Sequence, residues 1–201
     1  MNASCISALI LAGGRATRMG GMPKHEILVD GETILARQRR VLCDFAEILV
    51  SSPVDIAGVH TVRDEHEGIG PLAGIAAGLA AATGRWLFVI AGDMPNPSAA
   101  LIGHMVELVD SAGRDAPRAG WENVHAIGVR RNGLPEPLFC MLRIAPAREA
   151  ARAMIEARDH KASRLLDALG VVYVRDEILA QVNADHALAN LNEPRDIPGR
   201  D

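Results

Sequence analysis

Between Leu9 and Lys24 the chain reads LILAGGRATRMGGMPK, an apolar run that stops on Gly13-Gly14 and continues through Arg15, Arg18 and Gly20-Gly21. Glycines in such a turn let the main chain come close to a ligand and point successive amides at phosphate oxygens or a base edge. Arg18 and Lys24 supply the positive charge that a triphosphate needs as negative charge moves onto its leaving group. The chemistry implied is binding of a nucleoside triphosphate followed by transfer at phosphorus, where positioning and charge neutralisation do most of the catalysis. The stretch is neither the Gly-x4-Gly-Lys-Ser/Thr P-loop nor the Gly-x-Gly-x-x-Gly dinucleotide fingerprint.

Two aspartates belong with this loop. Asp93 lies in FVIAGDMP, directly after an unbroken apolar run. Ligands of open α/β sheets bind beyond the carboxyl ends of the strands, so this carboxylate stands where a site is expected. It is the candidate ligand for Mg²⁺, which prefers oxygen donors and bridges carboxylate and phosphates. The competing role is that of a turn aspartate before Pro95, satisfying backbone amides. Asp64 follows a short apolar segment ending at Val62 and leads into EHEGIGPLAG, where Gly68, Gly70, Pro71 and Gly74 form a turn that opens a helix. Free amides at a helix N-terminus suit an anion, a ribose or a base edge.

The seven histidines show no metal-ligand spacing, although His25 adjoins Lys24 and stands within reach of a ligand there. No serine occupies a Gly-x-Ser-x-Gly elbow and no cysteine has a convincing partner, so covalent catalysis has little support.

These residues need a scaffold of alternating strands and helices. Ile6 to Leu11, Glu47 to Val50, Gly58 to Val62, Trp86 to Ile90, Val124 to Val129, Leu138 to Leu142 and Val171 to Val174 read as strands. Thr33 to Cys43, Leu72 to Ala82, Ala99 to Val109, Ala145 to Ala157 and Ser163 to Leu169 read as helices. Gly74 and Gly78 in the second helix permit close packing at some cost in propensity. Asp110 to Asn123 reads as a surface connection, and Asn132-Gly133 as a turn between strands. The alternation predicts an α/β fold, a mostly parallel sheet covered on both faces. No repeat or boundary divides the chain, so one domain over 1–201 is expected.

The formal charge of -4 argues against nonspecific binding of nucleic acid or an anionic membrane surface. Cys5, Cys43 and Cys140 are widely spaced and odd in number, which argues against a disulfide framework and agrees with a reducing compartment. With no signal-peptide pattern and no long apolar span, a cytoplasmic protein is expected.

Taken in order, these motifs resemble the molybdenum cofactor guanylyltransferase family, molybdopterin-guanine dinucleotide biosynthesis protein A. The family's opening loop is met by Leu11, Ala12, Gly13, Gly14, Arg18, Met19, Gly20 and Lys24. Its aspartate followed by Gly-Pro-Leu-Ala-Gly is met by Asp64 and the run Gly70, Pro71, Leu72, Ala73, Gly74, and its metal aspartate turn by Gly92 to Pro95. PLFCMLR (Pro137 to Arg143) and NLNEPRD (Asn190 to Asp196) are similar to its later motifs.

The resemblance implies a three-layer α/β/α Rossmann-like nucleotidyltransferase domain that joins GTP to molybdopterin and releases pyrophosphate. It implies that the backbone of Leu11 to Gly14 reads the base and that Lys24 meets phosphate. Asp64, with the Gly70-Pro71-Leu72 turn, would lie near the guanosine, and Asp93 would hold Mg²⁺. The molybdenum cofactor insertion machinery would be a protein partner. His25, Glu26, Cys140, Met141 and Glu193 depart from the family's usual residues.

A cytidylyltransferase acting on the same cofactor and a sugar- or alcohol-phosphate nucleotidyltransferase remain as alternatives, the former disfavoured by the double glycine. A nucleotide-binding protein without turnover is the alternative of another class.

Overall fold

The computed structural model describes residues 5–13, 23–63, 68–112, 121, 123–191 and 196. β1 (Ile6–Leu11) and β6 (Trp86–Ala91) are the most apolar runs, and they pair in parallel from Ile6 opposite Trp86 to Leu11 opposite Ala91. Strands buried on both faces carry such continuous apolar sequence because helices cover each side.

Around this pair the sheet adds β4 (Glu47–Ser51) and β5 (His60–Val62) on one side. On the other it adds β8 (Leu134–Arg143), β7 (Ala126–Arg131) and β9 (Val171–Tyr173), giving the order β5-β4-β1-β6-β8-β7-β9. β8 runs antiparallel to both its neighbours, and the remaining pairings are parallel. The sheet is therefore mostly parallel, as the alternation of elements implies. A small antiparallel pair, β2 (Leu28–Val29) with β3 (Glu32–Thr33), lies outside it. The sequence reading leaves it out, since two-residue strands carry no period.

Side chains alternate between two cores. Ile6, Ala8, Ile10, Phe88, Ile90, Phe139 and Met141 face α1 (Ile34–Val41), α3 (Ala99–Ala112) and the short helices α6 (Asp176–Gln181) and α7 (Ala184–Ala187). Leu9, Leu49, Leu87, Val89, Cys140 and Leu142 face α2 (Pro71–Ala81), α4 (Ile144–Glu156) and α5 (Ala162–Ala168). Each buried Leu, Ile or Phe contributes about 1.5–3 kcal/mol, so these two layers dominate the stability. Phe88 and Phe139 meet edge to face at 5.1 Å between ring centroids.

α2 lies close on the sheet. A Cβ on Gly74 would come 2.6 Å from Ser51 Oγ, and one on Gly78 would overlap Leu9 Cδ2. A larger residue at either position would force Ser51, Leu9 or the helix itself to shift, so α2 carries two glycines where it lies closest to the sheet.

Candidate active site

The chain leaves β1 for β4 and β5 on one side, then crosses back to β6 on the other. Such a reversal opens a crevice beyond the carboxyl ends of the strands. Leu11, Ala12 and Gly13 stand at that end of β1, Ser51 and Ser52 at that end of β4, and Gly92 and Asp93 directly after β6. The strand ends are tied together: Ala12 N–H donates to Ser51 O at 2.9 Å, and Gly92 N–H donates to Leu11 O at 2.9 Å. Gly92 has to be glycine for this approach, since a Cβ there would stand 2.7 Å from Leu11 O.

α2 aims its N-terminus at the same crevice. Gly70 takes φ 79°, a conformation open to glycine, and Pro71 begins the helix, where its missing N–H costs nothing. Gly74 touches Leu11 and Ser51, so the Gly70–Gly74 turn and the start of the glycine loop meet in space. Leu72 is fully buried in the core beneath α2, leaving only its main chain to face a ligand.

Asp93 is half-buried. The turn around it is held from α1: Gln38 Nε2 donates to Ala91 O at 2.8 Å and Met94 O at 2.9 Å, and Arg37 Nε donates to Pro95 O at 3.0 Å. The Leu191 N–H donates to the carbonyl of Asp93 itself at 2.9 Å.

Glu136 is a second carboxylate at this edge. Ile90 pairs with Phe139, and carrying that antiparallel register past the end of β6 brings Glu136 towards Asp93. Burial pushes the Glu136 carboxyl above its usual range; a hydrogen bond from the Leu138 N–H and the charge of Arg131 oppose this, and the charge of Asp93 adds to it. A negative carboxylate here is poorly solvated and close to another, an arrangement that a bound cation relieves.

His25 lies in a 3-10 turn, Lys24–Glu26, and is buried. Its Nδ1 has no hydrogen-bond partner among the described residues, and burial lowers its pKa against the opposing charge of Glu26. The ring is therefore neutral near pH 7.

Of the residues singled out from sequence, the structure brings Leu11, Ala12, Gly13, Gly70, Pro71 and Asp93 to one crevice. Gly14, Arg18 and Asp64 lie outside the described residues, and Lys24 is described in its main chain only. Glu136, within the Gly133–Pro137 segment, and Gln38 are not among the residues singled out from sequence. The available signals were a glutamate between two prolines, and a glutamine on the Ile34–Gln38–Leu42 stripe that buries α1.

An open, mostly parallel sheet whose order reverses beside β1, with Asp93 following β6, is an α/β domain with its ligand crevice beyond the carboxyl ends of the strands. The class it belongs to is that of the nucleotidyltransferases. Among the described residues no helix is long and apolar enough to cross a membrane. The chain belongs to the MobA-like NTP transferase domain family, whose model matches residues 8–181.

It is 32% identical over 197 residues to a molybdenum cofactor guanylyltransferase of Pseudomonas fluorescens, covering 94% of this chain and 90% of the relative. It is 34% identical over 210 residues to a probable molybdenum cofactor guanylyltransferase of Opitutus terrae, covering 97% and 94%. The crystal structure of molybdopterin-guanine dinucleotide biosynthesis protein A from Archaeoglobus fulgidus superposes with a TM-score of 0.76 at 23% identity, covering 95% and 94% of the two chains. At that identity the likeness is one of fold.

Proposed function

We propose that this nucleotidyltransferase moves GMP from GTP to molybdopterin and releases pyrophosphate, forming the molybdopterin guanine dinucleotide cofactor. The observation that carries this reading is similarity to guanylyltransferases over nearly the whole of both chains, at 32% and 34% identity. It is supported by the 2.9 Å hydrogen bond from the Gly92 N–H to Leu11 O, which joins the end of β1 to the Asp93 turn after β6.

In this reading the main chain of Leu11 to Gly14 reads the guanine, and Asp64 with Gly70, Pro71 and Leu72 lies along the guanosine. Lys24 and Arg18 neutralise the triphosphate. An oxygen of the molybdopterin phosphate forms a bond to the α-phosphorus while the bond to the α,β-bridging oxygen breaks, and the electron pair leaves with pyrophosphate. The attacking phosphate is already ionised and needs no strong base. Strand ends locked to one another keep the loop and the Asp93 turn from drifting apart during this exchange.

Asp93 would hold Mg²⁺, and the donor set fits that ion. Among the described residues no group of three or more His, Cys, Asp or Glu converges on a point. Mg²⁺ is commonly held by one or two carboxylates together with substrate phosphates and waters, which Asp93 with Glu136 nearby can provide. When bound, the ion would offset negative charge on the phosphates.

On this reading the protein works in the cytoplasm as one domain over 1–201 and passes its product to the molybdenum cofactor insertion machinery. The test is calorimetric binding of GTP and of CTP, each with Mg²⁺, followed by turnover with molybdopterin. Preference for GTP and formation of the guanine dinucleotide are expected. Preference for CTP would replace the reading with a cytidylyltransferase, and binding of neither would reject it.

A further inference from the structure

We propose that Gln38 is a positioning residue for Asp93: with Arg37 beside it, it holds the main chain on both sides of the aspartate so that the carboxylate meets the metal in one place. This rests on the reading of Asp93 as the Mg²⁺ ligand.

Gln38 is fully buried, and both bonds made by its Nε2 go to carbonyls that bracket Asp93, those of Ala91 at 2.8 Å and Met94 at 2.9 Å. Arg37 extends the clamp with bonds to Pro95 O at 3.0 Å and Asn96 Oδ1 at 3.0 Å, while its Nη1 is moored to Val29 O at 2.8 Å. The Leu191 N–H takes one more carbonyl of the turn, that of Asp93. The carbonyls of residues 91, 93, 94 and 95 are therefore all held by named donors, three of them by two consecutive side chains of α1.

A glutamine is not what the packing of α1 calls for at this position. It occupies the middle of the Ile34–Gln38–Leu42 stripe, where an apolar residue would complete the buried face of α1. Its Oε1 is buried and has no hydrogen-bond partner among the described residues, a penalty that leucine or methionine would avoid while giving up the two bonds to the Asp93 turn. The turn also closes without it, because the Met94 N–H already donates to Ala91 O at 3.3 Å. What Gln38 adds is a restriction on where the turn closes. That matters for Mg²⁺, which demands near-ideal octahedral geometry.

The experiment uses Gln38→Met, which keeps the length of the side chain and removes its donors. Mn²⁺ binding in the presence of GTP is followed by electron paramagnetic resonance, and the Mg²⁺ activation constant is measured in turnover. Metal-free GTP binding and the melting temperature are the controls. Mn²⁺ affinity is expected to weaken roughly 10–100-fold, the usual effect of removing an outer-shell partner, with a matching rise in the Mg²⁺ activation constant. Metal-free GTP binding should stay at the wild-type value. A residue serving the fold alone would lower the melting temperature and leave the metal constants untouched.

Arg37→Met, at a half-buried position, provides the same test if the core substitution prevents folding, with a smaller effect in the same direction. Wild-type metal constants in the folded variants overturn the proposal. Asp93→Asn separates the two levels: if it keeps wild-type Mn²⁺ affinity, the metal role of Asp93 falls and takes the clamp with it. If Asp93→Asn loses Mn²⁺ while Gln38→Met keeps it, the clamp alone is wrong.

Discussion

Gly92→Ala tests the junction on which the whole site depends. The new Cβ would stand 2.7 Å from Leu11 O and 3.0 Å from Ala12 Cα, and separations under 3.0 Å are not found for real Cβ atoms. Both neighbours are main chain, so no rotamer change relieves the contact. Leu11 O also accepts the Gly92 N–H at 2.9 Å, so relief stretches that bond and moves the end of β1 away from β6. Overpacking of this kind costs about 1–3 kcal/mol.

At the middle of that range, about 2 kcal/mol, a chain of this size should lose roughly 4–8 °C of melting temperature. A displacement of about half an ångström between the glycine turn and Asp93 should lower kcat on the order of 10-fold, given that about 1 Å can cost 100-fold. Urea unfolding and GTP-dependent turnover measure the two effects. Gly103→Ala is the control: it is exposed within α3, a Cβ there meets nothing within 4 Å, and it should stabilise by about 0.5–1 kcal/mol. If Gly92→Ala matches the wild type to within about 0.5 kcal/mol and turns over normally, the strand ends are not packed as described.

The cysteines should divide by exposure. Cys5 and Cys43 are exposed and should react with Ellman's reagent in the native protein, whereas Cys140 is buried, its thiol pushed far up by burial, and should react only in denaturant. Rapid native reaction of all three would contradict the packing of β8. At the opposite end of the sheet, burial pushes the Glu47 carboxyl up, but bonds from Ser7 Oγ and from the N–H and Oγ1 of Thr83 outweigh it and leave the pKa below 4.5. Its contribution is therefore present above the unfolded value of 4.5 and lost as pH falls through the lower folded value. Melting curves between about pH 6 and pH 3.5 should show a smaller acid loss for Glu47→Gln than for the wild type, and equal losses would discount the network.

Some of the fold was legible because it is locally determined. β1 spans the residues its apolar run predicts, β6 extends one residue further, and α2 begins at Pro71 beside the glycines that mark its turn. The Asn132-Gly133 turn is present with φ of 52° and 76°, as expected for a tight hairpin. Other boundaries moved. β8 begins at Leu134 rather than Leu138, although Pro135 and Pro137 remove two donors from it. The strand tolerates them because its pairing with β7 shifts register between Gly128 and Arg130, next to the Arg130–Pro135 pair. α6 and α7, of 6 and 4 residues, are too short to show a helical period and take their shape from packing under the sheet.

By itself, the sequence determined the strand that leads to Gly13 and the aspartate that follows the next apolar strand. Apolar runs and glycine punctuation act over a few residues and need no distant partner to be read. Only the tertiary structure decided that Glu136 comes up beside Asp93 and that Gln38 is spent on the turn around it. Both depend on strand order and on where a helix comes to rest, contacts 43 and 53 residues apart in the chain that no local pattern encodes. A buried amide and a half-buried carboxylate gain their meaning from what the fold sets opposite them.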